Sequence, residues 1–140
     1  SFAVVRDSRE MPDDLSSVIL AVYSSRRQEN ELTARLFAHV DYLVAPPHER
    51  TNWSMGLGLP MFALVPVIGP FAPLNLSLLL RGGTAVELTE PSGLDANLRR
   101  LRDSGRLLRM AEAGWGRYDI DGFLRIARHL VAWYGKQSRP

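Results

Sequence analysis

Cysteine is absent from this 140-residue chain, and its absence excludes disulfide bonds, thiolate metal sites and cysteine nucleophiles. The three histidines, His39, His48 and His129, lie far apart in sequence and lack the spacing of metal ligands. We therefore expect no metal site. The first residues also lack a basic segment followed by an apolar one, so no secretory signal is visible and we expect a cytoplasmic protein.

Charge is missing from a continuous run of thirty residues, Thr51–Leu80. About 20 apolar residues can cross a bilayer as a helix, but four prolines and three glycines interrupt this run. They would leave backbone hydrogen bonds unmade in lipid. The pattern instead predicts a short helix ending near Gly58, a buried strand at 60–65, a turn-rich loop at 66–72 and a helix at 73–81. In an open α/β sheet, ligands bind at a loop that follows a buried strand.

The rest of the chain alternates between strands and helices before it becomes purely helical. Apolar runs predict further strands at 2–6, 18–23, 41–45 and 84–88, and the strands at 18–23 and 41–45 are expected to be buried. A helix is predicted at 28–39, with Asn30 and Glu31 near its start, and after Pro91 only helices are expected. The last of these, roughly 119–134, has the clearest apolar stripe. This order predicts one Rossmann-like, three-layer α/β domain over residues 1–140, with a mostly parallel sheet of about five strands.

The net charge of +2 conceals an uneven distribution. Residues 1–91 contain seven arginines and ten acidic residues, whereas residues 92–140 contain nine arginines and Lys136 against five acidic residues. The basic residues could simply solvate the outer faces of C-terminal helices, or they could form a surface for anionic lipid or a phosphorylated ligand, which would make the protein peripheral to a membrane. Nucleic acid is not an expected partner, because the arginines are not interleaved with aromatic residues.

The densest polar cluster is the segment His48–Asn52, between a predicted strand end and a predicted helix start. Free N–H groups and the positive dipole end of a helix favour an anion there, and Arg50 could add paired hydrogen bonds to a phosphate. Thr51 or Asn52 could instead be an ordinary helix N-cap on a surface turn. His48 could act as a general base only if an acceptor lay within hydrogen-bond reach.

The loop after the next strand should face the same crevice. Gly69 permits close approach of the backbone, and Phe71 could either stack on a ligand ring or pack in the core. Asn75, in the first turn of the following helix, could cap that helix or reach a ligand. The three tryptophans are expected to pack inside the protein, although Trp53 and Phe71 are candidates for an apolar surface that another lobe would cover.

Several short segments follow one another in a distinctive order: Asp41-Tyr42-Leu43-Val44, Thr51, Gly58-Leu59-Pro60, Asn75 and Gly82-Gly83-Thr84-Ala85-Val86. In this order and spacing, the chain from about Asn30 to Tyr134 resembles the C-terminal half of the GT-B glycosyltransferases. It is most similar to the branch that contains the peptidoglycan N-acetylglucosaminyltransferase and the plant galactolipid synthases.

The resemblance implies a domain that binds a nucleotide-sugar donor, such as a UDP-sugar, by its diphosphate. It implies an N-terminal acceptor lobe or a partner subunit, hexosyltransferase activity only when that lobe is joined, and an inactive isolated domain that needs no cofactor. The residues placed at the donor are Arg50, Thr51, Asn52, Gly69, Phe71 and Asn75, with His48 as the candidate catalytic residue.

The chain also departs from the family pattern. The turn at 46–50 has bulky side chains where the family has glycines that let backbone N–H groups approach a diphosphate. Ser54 stands where the family has an acidic residue associated with the ribose, and Phe71-Ala72-Pro73-Leu74 replaces a glutamine-rich segment. These differences favour an alternative function, a catalytically inactive GT-B-like domain that serves as an interaction or scaffold module.

Overall fold

The structure is a computed structural model, and it describes residues 2–10 and 18–137. Contacts between residues divide the chain into two compact units, Ser1–Asp41 and Tyr42–Pro140. Both are α/β with parallel strands: two strands pair in the first unit and three in the second. The five expected strands are therefore present, but in two sheets rather than in one. Apolar runs predict that strands exist, yet they do not specify which strands pair.

In the first unit, strand β1 (Phe2–Val5) pairs in parallel with strand β2 (Val18–Ala21), and helix α1 (Arg26–Phe37) follows. A short 3-10 turn lies at Ser8–Glu10. Val5 and Leu32 are buried. The expected burial of 18–23 is wrong, because Val18, Leu20, Val22 and Tyr23 are all exposed.

Helix α1 begins at Arg26, two residues before the predicted start at Gln28. Its N-cap is Ser25, whose hydroxyl accepts a hydrogen bond from the N–H of Gln28. The Gln28 side chain in turn donates to the carbonyl of Arg6 and accepts from the N–H of Ser24. A serine N-cap satisfies an otherwise free N–H group of the first turn, so the local hydrogen bonds set the start of this helix.

The second unit contains the uncharged run and the C-terminal helices. Its elements in chain order are β3 (Leu43–Ala45), α2 (Thr51–Leu57), β4 (Met61–Leu64), α3 (Ala72–Gly82), β5 (Ala85–Leu88), a 3-10 turn at Pro91–Gly93, α4 (Leu94–Asp103), α5 (Arg106–Gly114) and α6 (Gly122–Gln137). The sheet order is β3-β4-β5, and both pairings are parallel. Because α2 and α3 connect neighbouring parallel strands, this part of the chain is a βαβαβ unit.

The uncharged run forms the centre of this unit, as the sequence predicts. Helix α2 ends at Gly58, which has a left-handed backbone (φ 65°) that favours glycine. Strand β4 is almost completely buried, because it is the middle strand of the three and has helices on both faces. None of the helices among the described residues is both long enough and apolar enough to span a membrane.

The core lies on both faces of the β3-β4-β5 sheet, because successive residues of β4 point to opposite sides. Met61 and Ala63 pack with Leu79 of α3 and with Met55 of α2. Phe62 packs on the other face, in a cluster whose remaining buried members are Leu88, Leu101 and Met110. Helices α4 and α5 thus cover one face of the sheet, and α2 and α3 cover the other.

Helix α6 differs from the other helices of this unit. The sequence predicts its apolar stripe correctly, but the large apolar side chains of that stripe are all exposed. Trp115, expected to be a packing residue, is also exposed, and Trp133 is half exposed. Periodicity identifies an apolar face, but it does not identify what covers that face.

Candidate functional site

The predicted site lies where two strands of the second unit end side by side. Strands β3 and β4 run in parallel with Ala45 opposite Ala63, so their exit loops, residues 46–50 and 65–71, emerge at the same edge of the sheet. We refer to the space between these loops as the loop crevice. The carboxyl edge of a parallel sheet is the common location of ligand sites in α/β domains.

A hydrogen bond joins the two sides of the loop crevice. The side-chain amide of Asn75, in the first turn of α3, donates from Nδ2 to the carbonyl of Pro47 at 3.0 Å. A Cβ atom placed on Gly69 would lie 3.8 Å from Cε1 of His48. The structure therefore brings His48, Gly69 and Asn75 together, although Asn75 already uses one amide hydrogen within the protein.

Gly69 has a backbone conformation that side chains with a Cβ rarely adopt, with φ at 95°. The residue is also exposed. Its local conformation therefore explains why glycine occupies this position beside His48. A ligand in the loop crevice could approach the backbone at this residue without meeting a side chain.

The beginning of α2 holds the next three predicted site residues. Arg50 is exposed and is the N-cap of α2, with its carbonyl accepting the N–H groups of Trp53 at 3.0 Å and Ser54 at 3.2 Å. Its guanidinium lies 5.0 Å from the centroid of the Trp53 ring, a distance typical of a cation–π interaction. Asn52 lies in the first turn of α2 and is exposed. Arg50 thus places a positive charge at the carboxyl end of the strands, where its guanidinium packs on the Trp53 ring of the same helix.

Thr51 is placed differently from its neighbours. Only 5% of its surface is exposed, and its Oγ1 has no hydrogen-bond partner within the described residues. It occupies the first position inside the helix and is not the N-cap. An enclosed hydroxyl of this kind is energetically unfavourable, and here it is not presented to solvent as a donor to a bound phosphate would be.

Exposed apolar side chains lie on the β4–α3 loop and on the first turn of α3. Phe71 is 72% exposed, and Ile68 and Leu74 are exposed as well. The alternative location of Phe71 in the core is therefore wrong. A ring in this position can stack on a flat ligand or on a partner protein, since both contacts remove apolar surface from water.

A second concave surface was not anticipated from the sequence. A groove of about 670 Å³ lies between α2 and the segment 118–126, and we call it the α2 groove. Asn52 and Trp53 line one side, and Ile120, Phe123 and Ile126 line the other. A Cβ on Gly56 would come within 2.4 Å of Cγ2 of Ile120. A glycine inside the short helix α2 was the one sequence signal of this close approach.

No three histidine, aspartate or glutamate side chains come together as a metal-binding group in the part of the chain that the structure describes. Comparisons of the chain with protein-family models, with curated proteins and with solved structures returned no match.

Proposed function

We propose that this chain is the nucleotide-sugar-binding domain of a GT-B-like glycosyltransferase, with a Rossmann-like arrangement and with the donor diphosphate held at the loop crevice. The single observation that supports the site most strongly is the hydrogen bond from Asn75 to the Pro47 carbonyl, because it ties the exit loops of two neighbouring parallel strands into one edge. The resemblance described above supplies the class of ligand.

Each predicted residue has a role that its position allows. Arg50 would bind the diphosphate, since its guanidinium is exposed next to the crevice. Phe71 would stack on the nucleobase or the sugar, and Gly69 would let the ligand approach the backbone. Asn75 would keep the two loops in register. The enclosed Thr51 side chain would help to pack the turn and would not touch the donor.

The proposal gives the isolated chain a binding function and no turnover. Transfer of the sugar would need the acceptor, which an N-terminal lobe or a partner subunit would hold. His48 would be near enough to the crevice to serve as a general base in that assembly, provided that an acceptor hydroxyl came within hydrogen-bond reach.

Calorimetric titration of the 140-residue chain with UDP tests the donor site. We expect saturable binding, and Arg50→Ala should weaken it by about tenfold or more, because a hydrogen-bonded charge pair is lost. Arg81→Ala is the matched control: Arg81 lies in the last turn of α3, at the opposite edge of the sheet, and its loss should leave the dissociation constant unchanged. Absence of binding at millimolar UDP would refute the donor site.

The exposed apolar group Ile68, Phe71 and Leu74 favours a second candidate function, an interaction module that binds no nucleotide. The same titration separates the two. If UDP does not bind and the chain associates with another protein or with itself, Phe71→Asp should weaken that association while Arg50→Ala leaves it intact. If UDP binds and Arg50→Ala weakens that binding, the donor site alone accounts for the arrangement of residues in the loop crevice.

A further inference from the structure

Helix α6 exposes an unusually broad apolar face. Phe123 is 92% exposed and Val131 is 74% exposed, and the same stripe includes exposed Ile126, Leu130 and Trp133. At about 100° of rotation per residue, these side chains with Leu124 and Tyr134 occupy roughly half of the helix circumference. A helix that packs on a core needs a stripe of only about 100°, so half of this helix is available to an apolar partner.

The opposite half of α6 carries charge of one sign. Arg125, Arg128 and His129 lie there by helical position, and Asp121 is the last acidic residue of the sequence. Arg125 forms an ion pair with Asp119, whereas Arg128 forms none with any other described residue. Helix α6 itself therefore contains basic residues and no acidic ones.

Helices α1 and α4 have polar faces that carry both positive and negative charges. In α1, Arg26 pairs with Glu29 and Arg27 pairs with Glu31. In α4, Arg99 pairs with Asp95 at 2.9 Å. A face that only has to meet water or another protein can carry both signs, as these helices do. The basic face of α6, with no acidic residue on the helix itself, therefore favours an anionic lipid surface over a protein partner.

We propose that α6 is an interfacial helix that attaches the chain to the surface of an anionic lipid bilayer. Its apolar half enters the boundary between headgroups and acyl chains, and its basic half meets the headgroups and phosphates, which is the distribution typical of helices that lie in the membrane plane. The aromatic rings of Trp133 and Tyr134, which pack edge to face with centroids 5.0 Å apart, suit that boundary.

The apolar surface continues beyond the helix. Phe123 and Ile126 also line the α2 groove, together with Ile120 of the preceding segment. The bound lipid would therefore contact the first two turns of α6 and the neighbouring wall of the groove. The proposal does not depend on the donor site, since no residue of the loop crevice takes part in it.

Co-sedimentation of the 140-residue chain with vesicles tests the proposal. We expect binding to vesicles of phosphatidylcholine mixed with phosphatidylglycerol and much weaker binding to phosphatidylcholine alone. The double substitution Phe123→Asp and Val131→Asp should reduce binding to the anionic vesicles by more than about tenfold. The matched control is Val18→Asp with Leu108→Asp, two exposed apolar residues of β2 and α5, which should bind as the unmodified chain does.

The charges are tested separately. Arg125→Gln and Arg128→Gln should each weaken binding to anionic vesicles by about fivefold, and 1 M salt should weaken it further, because the Debye length falls to about 3 Å. Circular dichroism and a thermal melt check that the variants are folded, as expected for exposed positions. Equal binding to both kinds of vesicle would overturn the role of charge. A concentration-dependent dimer that Phe123→Asp abolishes, without vesicle binding, would assign the face to a second copy and overturn the proposal.

Discussion

The pair α4–α5 and helix α6 have the same kind of sequence, arginines on one side and apolar residues on the other, but the structure uses them differently. Leu101 of α4 and Met110 of α5 are buried against Phe62 of the central strand. The stripe of α6 remains in solvent. An amphipathic pattern therefore predicts that a helix needs a partner, whereas the identity of that partner depends on the surface that the rest of the fold leaves uncovered.

The sharpest test of this comparison removes one leucine from each region. Leu101→Ala should lower the free energy of unfolding by about 2–5 kcal/mol, because it leaves a cavity in the core. Leu130→Ala, in α6, should change it by less than about 0.5 kcal/mol, since that side chain is about half exposed. Urea unfolding of the two variants measures both values. A large loss at Leu130 would mean that α6 packs on the protein in solution.

A smaller effect is expected from adding one methyl group to a glycine in each region. A Cβ on Gly114, at the end of α5, would lie 2.6 Å from the Ser54 carbonyl oxygen, so Gly114→Ala should destabilise the protein by about 1–3 kcal/mol. Gly122, at the start of α6, has open space around it. Gly122→Ala should stabilise the protein slightly, by less than about 1 kcal/mol. Thermal melts compare them, and equal melting temperatures would contradict the prediction.

The smallest effect concerns surface charge. Arg99 of α4 donates from Nε to both carboxylate oxygens of Asp95, at 3.1 and 2.9 Å, and both side chains are mostly exposed. Arg99→Ala should lower the free energy of unfolding only slightly, because an ion pair in water contributes little, and a double-mutant cycle with Asp95→Ala isolates the pair. Arg128→Ala, in α6, removes no ion pair with the described residues and should leave stability unchanged. An equal loss of stability from Arg128→Ala and Arg99→Ala would show that the charges of α6 and α4 do not differ in this way.

Much of the second unit could be predicted from the sequence. The prolines and glycines of the uncharged run identify β4 between α2 and α3, because each of them restricts or frees the backbone at a particular point. Gly58 ends α2 as expected. The backbone preferences of proline and glycine act over only a few residues, so they can be inferred from the sequence alone.

The rest depends on residues that are distant in sequence. Strand β2 has the composition of a buried strand, but its exposure depends on what lies against it. The division of the strands into two sheets likewise reflects pairing, which composition does not encode. Ser25, by contrast, is a residue type that favours the N-cap, but the spacing of apolar residues alone does not identify it as the start of α1.

The candidate site, too, could be predicted only in part from the sequence. The sequence predicts that residues 48–52 and 69–75 share one sheet edge, because parallel strands end together. The partner of the Asn75 amide is a backbone carbonyl twenty-eight residues away, and the enclosure of Thr51 depends on packing. Neither is encoded in local spacing. The donor-binding role of these residues stays a prediction.

Gly58, at the end of α2, and Gly114, at the end of α5, lie against each other, and this contact restricts how the chain can change over generations. A Cβ on Gly114 would lie 3.1 Å from the Cα of Gly58, and a Cβ on Gly58 would lie 2.8 Å from the Ala111 carbonyl oxygen. Neither glycine can acquire a side chain while the other backbone stays in place. A lineage that altered either glycine would have to move a whole helix, so its descendants should keep both glycines.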